Sequence, residues 1–144
     1  EIEATSELAN NVGLQFLHHW NGYTEIWNET YTSSSTIYVP IHNLTTLFGS
    51  PLKLKSLEVC YKVASASSYI DQTWVYYANS AEGRTQLLSD TTNRTSTTFS
   101  CYTVSTGSPI VIDGPMLVYF NLWFNTTGTG HKITIGRMIA TLVE

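Results

Sequence analysis

Apolar residues recur at every second position over long stretches of this sequence. The series Leu57, Val59, Tyr61 and Val63 is one example, and Met116–Phe124 contains another. Because successive side chains of a strand point to opposite faces, this alternation predicts β-strands that are buried on one side. Since no stretch shows convincing helical periodicity, we expect an all-β protein.

Clusters of Gly, Pro, Ser and Asn separate the alternating stretches, as turns do between strands. The predicted strands cover residues 35–41, 52–63, 69–77, 84–88, 97–104, 116–124 and 131–143. Their spacing predicts a single β-sandwich of the Ig-like or jelly-roll type over residues 21–144. We expect the last two strands to form a hairpin, because Gly128-Thr129-Gly130 between them supplies the backbone freedom of a tight turn.

Hydroxyl and aromatic residues replace the charged residues of an average protein. The chain contains 21 Thr and 15 Ser, is 12% aromatic and is only 12% charged, about half the usual ~25%. This composition excludes a disordered chain. A net charge of -4 with scattered basic residues argues against nucleic acid as a partner. The longest uncharged apolar stretch, Met116–Phe124, has about half the length that a membrane helix needs, so we expect no membrane insertion.

The two cysteines, Cys60 and Cys101, occupy similar positions in two predicted strands. If the flanking Tyr and Val residues point inward, alternation places both cysteines on the outer face. On neighbouring strands they could form a disulfide, and the alternative is two free thiols. A disulfide and the Ser- and Thr-rich composition together favour an extracellular or cell-surface location.

Four N-x-S/T sequons offer candidate N-glycosylation sites at Asn28, Asn43, Asn93 and Asn125.

No motif in the sequence indicates catalysis. His18 and His19 are adjacent, so in a strand they point to opposite faces and do not form a metal pair. The few carboxylates follow no pattern that glycoside hydrolysis would require, and the nucleophile motifs of hydrolases are absent. We therefore expect a protein that is not an enzyme, with no catalytic residue, metal or cofactor.

Residues 1–20 form an N-terminal extension that contains a polar leader and a short apolar run. Within this run Val12, Leu14 and Phe16 share one face of a predicted strand. The strand could pair within its own fold, or it could complete the sheet of a neighbouring copy. Because donor and acceptor surfaces differ, the second arrangement would generate an open filament.

An N-terminal extension before a sparsely charged, Ser- and Thr-rich sandwich resembles the subunits of bacterial pilus-like fibrils that are joined by donor-strand exchange. The resemblance implies a structural subunit of an extracellular filament whose partner is a second copy of itself. Val12, Leu14 and Phe16 would then be the inserted side chains. The alternative is a carbohydrate-binding module or adhesin domain, with Trp74 and Trp123 as stacking platforms for glycans. A viral coat-type sandwich is a third hypothesis.

Overall fold

The computed structural model describes residues 13–30, 32–41, 45–47, 49–79 and 83–144. These residues form eleven strands and one 3₁₀ turn at Thr129–His131. The strands are β1 (Leu14–His18), β2 (Thr24–Asn28), β3 (Ser33–Ile41), β4 (Thr46–Leu47), β5 (Ser50–Pro51), β6 (Lys53–Val63), β7 (Ser68–Ala78), β8 (Arg84–Asp90), β9 (Ser100–Val111), β10 (Met116–Phe124) and β11 (Ile133–Val143).

Two antiparallel sheets pack face to face, which confirms the predicted all-β sandwich. The five-stranded sheet has the order β1-β2-β11-β6-β9, and the four-stranded sheet has the order β3-β10-β7-β8. The core lies between them and contains fully buried residues from both sheets, such as Leu57 and Ile133 from one and Phe120 and Phe124 from the other. Pro40 lies in β3, which is an edge strand of its sheet. Proline has no N–H to donate, and an edge strand tolerates this because one of its sides has no neighbouring strand.

The N-terminal strand belongs to its own sandwich. β1 pairs with β2 from Leu14 opposite Asn28 to His18 opposite Thr24. Leu14 and Phe16 pack against the core of their own chain, because pairing places Phe16 on the same face as Ile26. In this structure both side chains therefore lie in their own chain, and their insertion into a neighbour stays a prediction. The predicted boundary after residue 20 falls in the β1–β2 turn, and Val12 lies outside the described residues.

The two C-terminal strands do not form the predicted hairpin. β10 pairs with β3 and β7, whereas β11 pairs with β2 and β6. The segment 125–132 carries the chain from one sheet to the other, with Gly128 at a φ of 89°. Glycine-rich turn chemistry permits a crossover as readily as a hairpin, so local sequence does not identify the partner strand.

Cys60 and Cys101 lie opposite each other in the β6–β9 ladder, and their sulfur atoms form a disulfide. The neighbouring Val59 and Tyr61 point into the core, so the bridge lies on the other side of the sheet. Glu58 is close to both sulfurs, but sulfur atoms in a disulfide are not thiolate ligands for a metal.

Within the part of the chain that the structure describes, no helix has the length and apolar character needed to span a membrane.

Candidate functional site

The outer surface of the four-stranded sheet carries a group of aromatic side chains. Along β10, alternation directs Val118 and Phe120 into the core, so Tyr119 and Trp123 point outward. Strand pairing places Tyr38 and Trp74 on either side of Tyr119, and Tyr69 beside Trp123. We define the aromatic face as the outward side chains of Tyr38, Tyr69, Trp74, Tyr76, Tyr119 and Trp123.

Tyr119 forms the centre of this face. The Tyr38 ring lies 4.3 Å from the Tyr119 ring at an interplanar angle of 88°, and the Tyr76 ring lies 4.8 Å away at 64°. Edge-to-face pairs of this kind contribute about 0.5–1.5 kcal/mol each beyond the burial of their area. Tyr119 is only 9% exposed although it points outward, so its neighbours hold it in place.

Arg84 adds a fixed positive charge to the same cluster. Its guanidinium carbon lies 4.9 Å from the Tyr76 ring centre and 5.2 Å from that of Tyr119. Arg84 Nη1 also donates a hydrogen bond of 3.0 Å to the Tyr119 hydroxyl; this bond raises the pKa of Arg84. Next to it, the Tyr76 hydroxyl donates to Gln86 Oε1 at 3.0 Å. The cluster is therefore positioned by contacts within the protein.

Trp123 lies toward the other end of the sheet and is 38% exposed. Between Trp123 and the Tyr119 cluster, Asn121 Nδ2 donates to Asp71 Oδ2 at 3.1 Å. Asp71 occupies a register shift in β7, because Asn121 pairs with Gln72 and the next residue of β10 pairs with Ile70. This shift keeps Tyr69 on the same face as Trp74, although the two are separated by an odd number of positions.

The aromatic face thus combines flat apolar rings with hydrogen-bonding groups in a fixed arrangement. Ring faces favour contact with a flat apolar surface, while amide, carboxylate and guanidinium groups bind hydroxyl groups. A ligand with apolar ring faces and a hydroxylated rim matches both properties. This is the chemistry of a sugar ring.

Three of the four candidate glycosylation sites lie in the described residues, and they differ in exposure. Asn28 is fully buried, and its side-chain oxygen accepts a hydrogen bond from the backbone N–H of Thr30. A glycan on this nitrogen would not fit the fold, so the candidate at Asn28 is corrected. Asn93 and Asn125 are exposed and stay predictions. Asn43 lies outside the described residues.

Sequence reasoning identified Trp74 and Trp123, which lie on one face, but it missed most of their surroundings. Tyr38, Tyr119 and Arg84 became part of the site only through strand pairing. Alternation indicated that Tyr119 points away from Phe120, yet no signal in the sequence placed β3 and β7 on either side of β10.

No protein-family model matches the sequence, and no curated protein matches it significantly. Among solved structures, the chain is similar to one of carbohydrate-binding modules from the β-sandwich superfamily, described for their promiscuous specificity. That similarity has a TM-score of 0.51 and 10% identity, and it covers 100% of this chain and 53% of the other. The chain therefore spans about half the length of that protein, with which it shares the β-sandwich fold.

Two further structures align over most of both chains. TmCBM61, in complex with β-1,4-galactotriose, has a TM-score of 0.49 and 6% identity over 97% of this chain and 87% of its own. CpGH89CBM32-6 of Clostridium perfringens has a TM-score of 0.46 and 14% identity over 98% and 91%.

Proposed function

We propose that this protein is a non-catalytic glycan-binding domain that acts outside the cell or at its surface. The aromatic face would be its binding surface. The observation that carries the proposal is the grouping of six aromatic side chains on one outer sheet face, with Arg84, Asn121 and Asp71 among them.

The arrangement of the rings favours binding because little ordering remains to be done. Tyr38, Tyr76 and Tyr119 are held by mutual ring contacts, and Arg84 fixes the same cluster from above. Immobilising a free side chain on binding costs about 0.5–1.5 kcal/mol, and this cost is largely avoided here. Trp123, at 38% exposure, retains apolar area that a sugar ring would cover.

The fold agrees with this proposal, which rests on the side chains of the aromatic face because one fold supports many functions. The β-sandwich is a fold that this chain shares with a structure of carbohydrate-binding modules. The Cys60–Cys101 disulfide supports an oxidising, extracellular compartment.

A binding role is favoured over hydrolysis by the carboxylates of this face. Glycosidases use two carboxyl groups on either side of the scissile bond. Among the described residues, the aromatic face presents Asp71 alone, and one oxygen of Asp71 is already bonded to Asn121.

The test is a glycan array followed by isothermal titration calorimetry with the glycans that bind. Trp123→Ala and Trp74→Ala should each weaken binding about tenfold or more, as the loss of a central aromatic contact does. The matched control is Trp20→Ala, because Trp20 is 98% exposed in the β1–β2 turn. Equal affinities for all three variants and the wild type would place binding elsewhere.

Filament formation by strand donation is the alternative function. The pairing of β1 with β2 of the same chain gives it no support. If strands were exchanged, the full chain would polymerise and a variant lacking residues 1–17 would stay monomeric, which light scattering would detect. If β1 instead stays in its own sandwich, as it is paired here, the full chain should be monomeric.

A further inference from the structure

A cleft of about 420 Å³ lies on the outside of the five-stranded sheet, away from the aromatic face. Its floor is a row of three cross-strand neighbours, Glu25, Thr134 and Lys62. Tyr23, Thr97, Phe99 and Lys132 line its sides. This volume lies within the usual range of ligand pockets, roughly 300–1,000 Å³.

The cleft carries an excess of positive charge in a protein whose net charge is -4. Lys132 Nζ lies 2.6 Å from Glu25 Oε1, and His19 Nε2 lies 3.3 Å from Glu25 Oε2. Burial alone would raise the pKa of Glu25, but the contacts with Lys132 and His19 outweigh burial and lower it. Glu25 therefore stays ionised and neutralises Lys132.

Lys62 is the unmatched charge of the cleft. It is exposed, and none of the ion pairs among the described residues includes it. A ligand that enters the cleft therefore meets one lysine without a carboxylate partner, beside the buried Thr134.

Two aromatic rings bound the same space. Phe99 is 59% exposed, and its ring lies next to Gly136 of β11. A Cβ added at Gly136 would lie only 3.2 Å from Phe99 Cε1. The absence of a side chain at Gly136 thus lets the ring lie close to β11. On the other side, the Tyr23 ring stacks on His19 with 4.0 Å between ring centres.

We infer that this cleft binds an acidic sugar residue, with the carboxylate of a uronate held by Lys62 and its ring against Phe99. A lysine without a partner selects an anion, and the ring and the threonine hydroxyls favour a sugar over a bare ion. The inference uses none of the residues of the aromatic face, so it stands or falls separately from the proposed function.

The experiment is an NMR titration of the ¹⁵N-labelled full chain with trigalacturonate and, separately, with its methyl ester. The acid should shift backbone amides near Tyr23, Lys62 and Thr97 in a saturable manner, and the uncharged ester should bind about tenfold more weakly, as loss of a charge-assisted hydrogen bond predicts. Lys62→Gln should weaken binding of the acid by a similar factor.

Lys55→Gln is the matched control, because it removes an exposed lysine from the same strand, about 23 Å away at 3.3 Å per residue. It should leave the affinity unchanged. Equal binding of acid and ester, or equal effects of the two lysine variants, would overturn the inference.

Inorganic sulfate provides the remaining comparison. If it saturates the same amides as tightly as trigalacturonate does, the cleft recognises an anion only, and the sugar assignment is wrong. Trp74→Ala and Trp123→Ala should bind trigalacturonate in the cleft as the wild type does, which distinguishes failure here from failure of the proposed function.

Discussion

Removing the disulfide between Cys60 and Cys101 should strongly destabilise the sandwich. The bridge closes a loop with a sequence separation of 41 residues. In the chain-entropy treatment a loop of this size contributes about 4 kcal/mol at 25 °C, between about 3 for 15 residues and 4.7 for 100. The perturbation that isolates this term is the double substitution Cys60→Ala and Cys101→Ala.

Differential scanning calorimetry measures the effect directly. For a chain of this size 1 kcal/mol corresponds to about 2–4 °C, so the Tm of the double variant should fall by about 8–16 °C. The wild type in the presence of a reductant should approach the same Tm. A loss below about 1 kcal/mol would refute the reasoning, since loop closure of this length predicts several times more. Two free thiols in the denatured, unreduced wild type would refute the bridge itself.

Three further predictions concern stability and modification. Tyr102→Phe removes the 2.6 Å hydrogen bond to the Thr73 hydroxyl and should cost about 1–3 kcal/mol, because a buried hydroxyl loses its partner; urea unfolding measures this. The pKa of Asp90 is lowered overall, because the opposing effect of burial is outweighed by the contacts with Arg94. The pair therefore stabilises the fold above about pH 4, and this contribution is lost as the pH falls through the pKa of Asp90 in the folded state. Asp90→Asn should therefore lower stability at pH 7, with a difference that shrinks in urea titrations at lower pH. When the protein is secreted from a glycosylating host, mass spectrometry should find the peptide with Asn28 unmodified, since that side chain is fully buried.

The strands could be predicted from the sequence because half-buried strands leave a two-residue pattern. β6 and β10 are clear cases, with apolar residues inside and polar or aromatic residues outside. Most strand pairings could not be predicted; the exception is β6 with β9, which the two cysteines suggested. The sequence around Gly128 indicated a turn but not whether the chain would return to the same sheet, and it crosses to the other one.

For the candidate site too, the direction of a side chain could be predicted from the sequence, whereas its neighbours on other strands could not. Alternation indicated that Trp123 points away from the core, but its neighbours depend on contacts between distant parts of the chain. Tyr69 and Trp74 share a face only because the register of β7 shifts near Asp71, and a regular strand would have placed them on opposite faces. Arg84 gave no signal, because a single basic residue in a short strand is usually a solvated side chain.

The most direct test of glycan binding by the aromatic face follows the indole N–H signals of the four tryptophans by NMR during titration with a glycan that binds. The signals of Trp74 and Trp123 should move and saturate together, whereas that of Trp20 in the β1–β2 turn should stay in place. Saturable binding of an uncharged glycan that leaves both Trp74 and Trp123 unmoved would contradict the account.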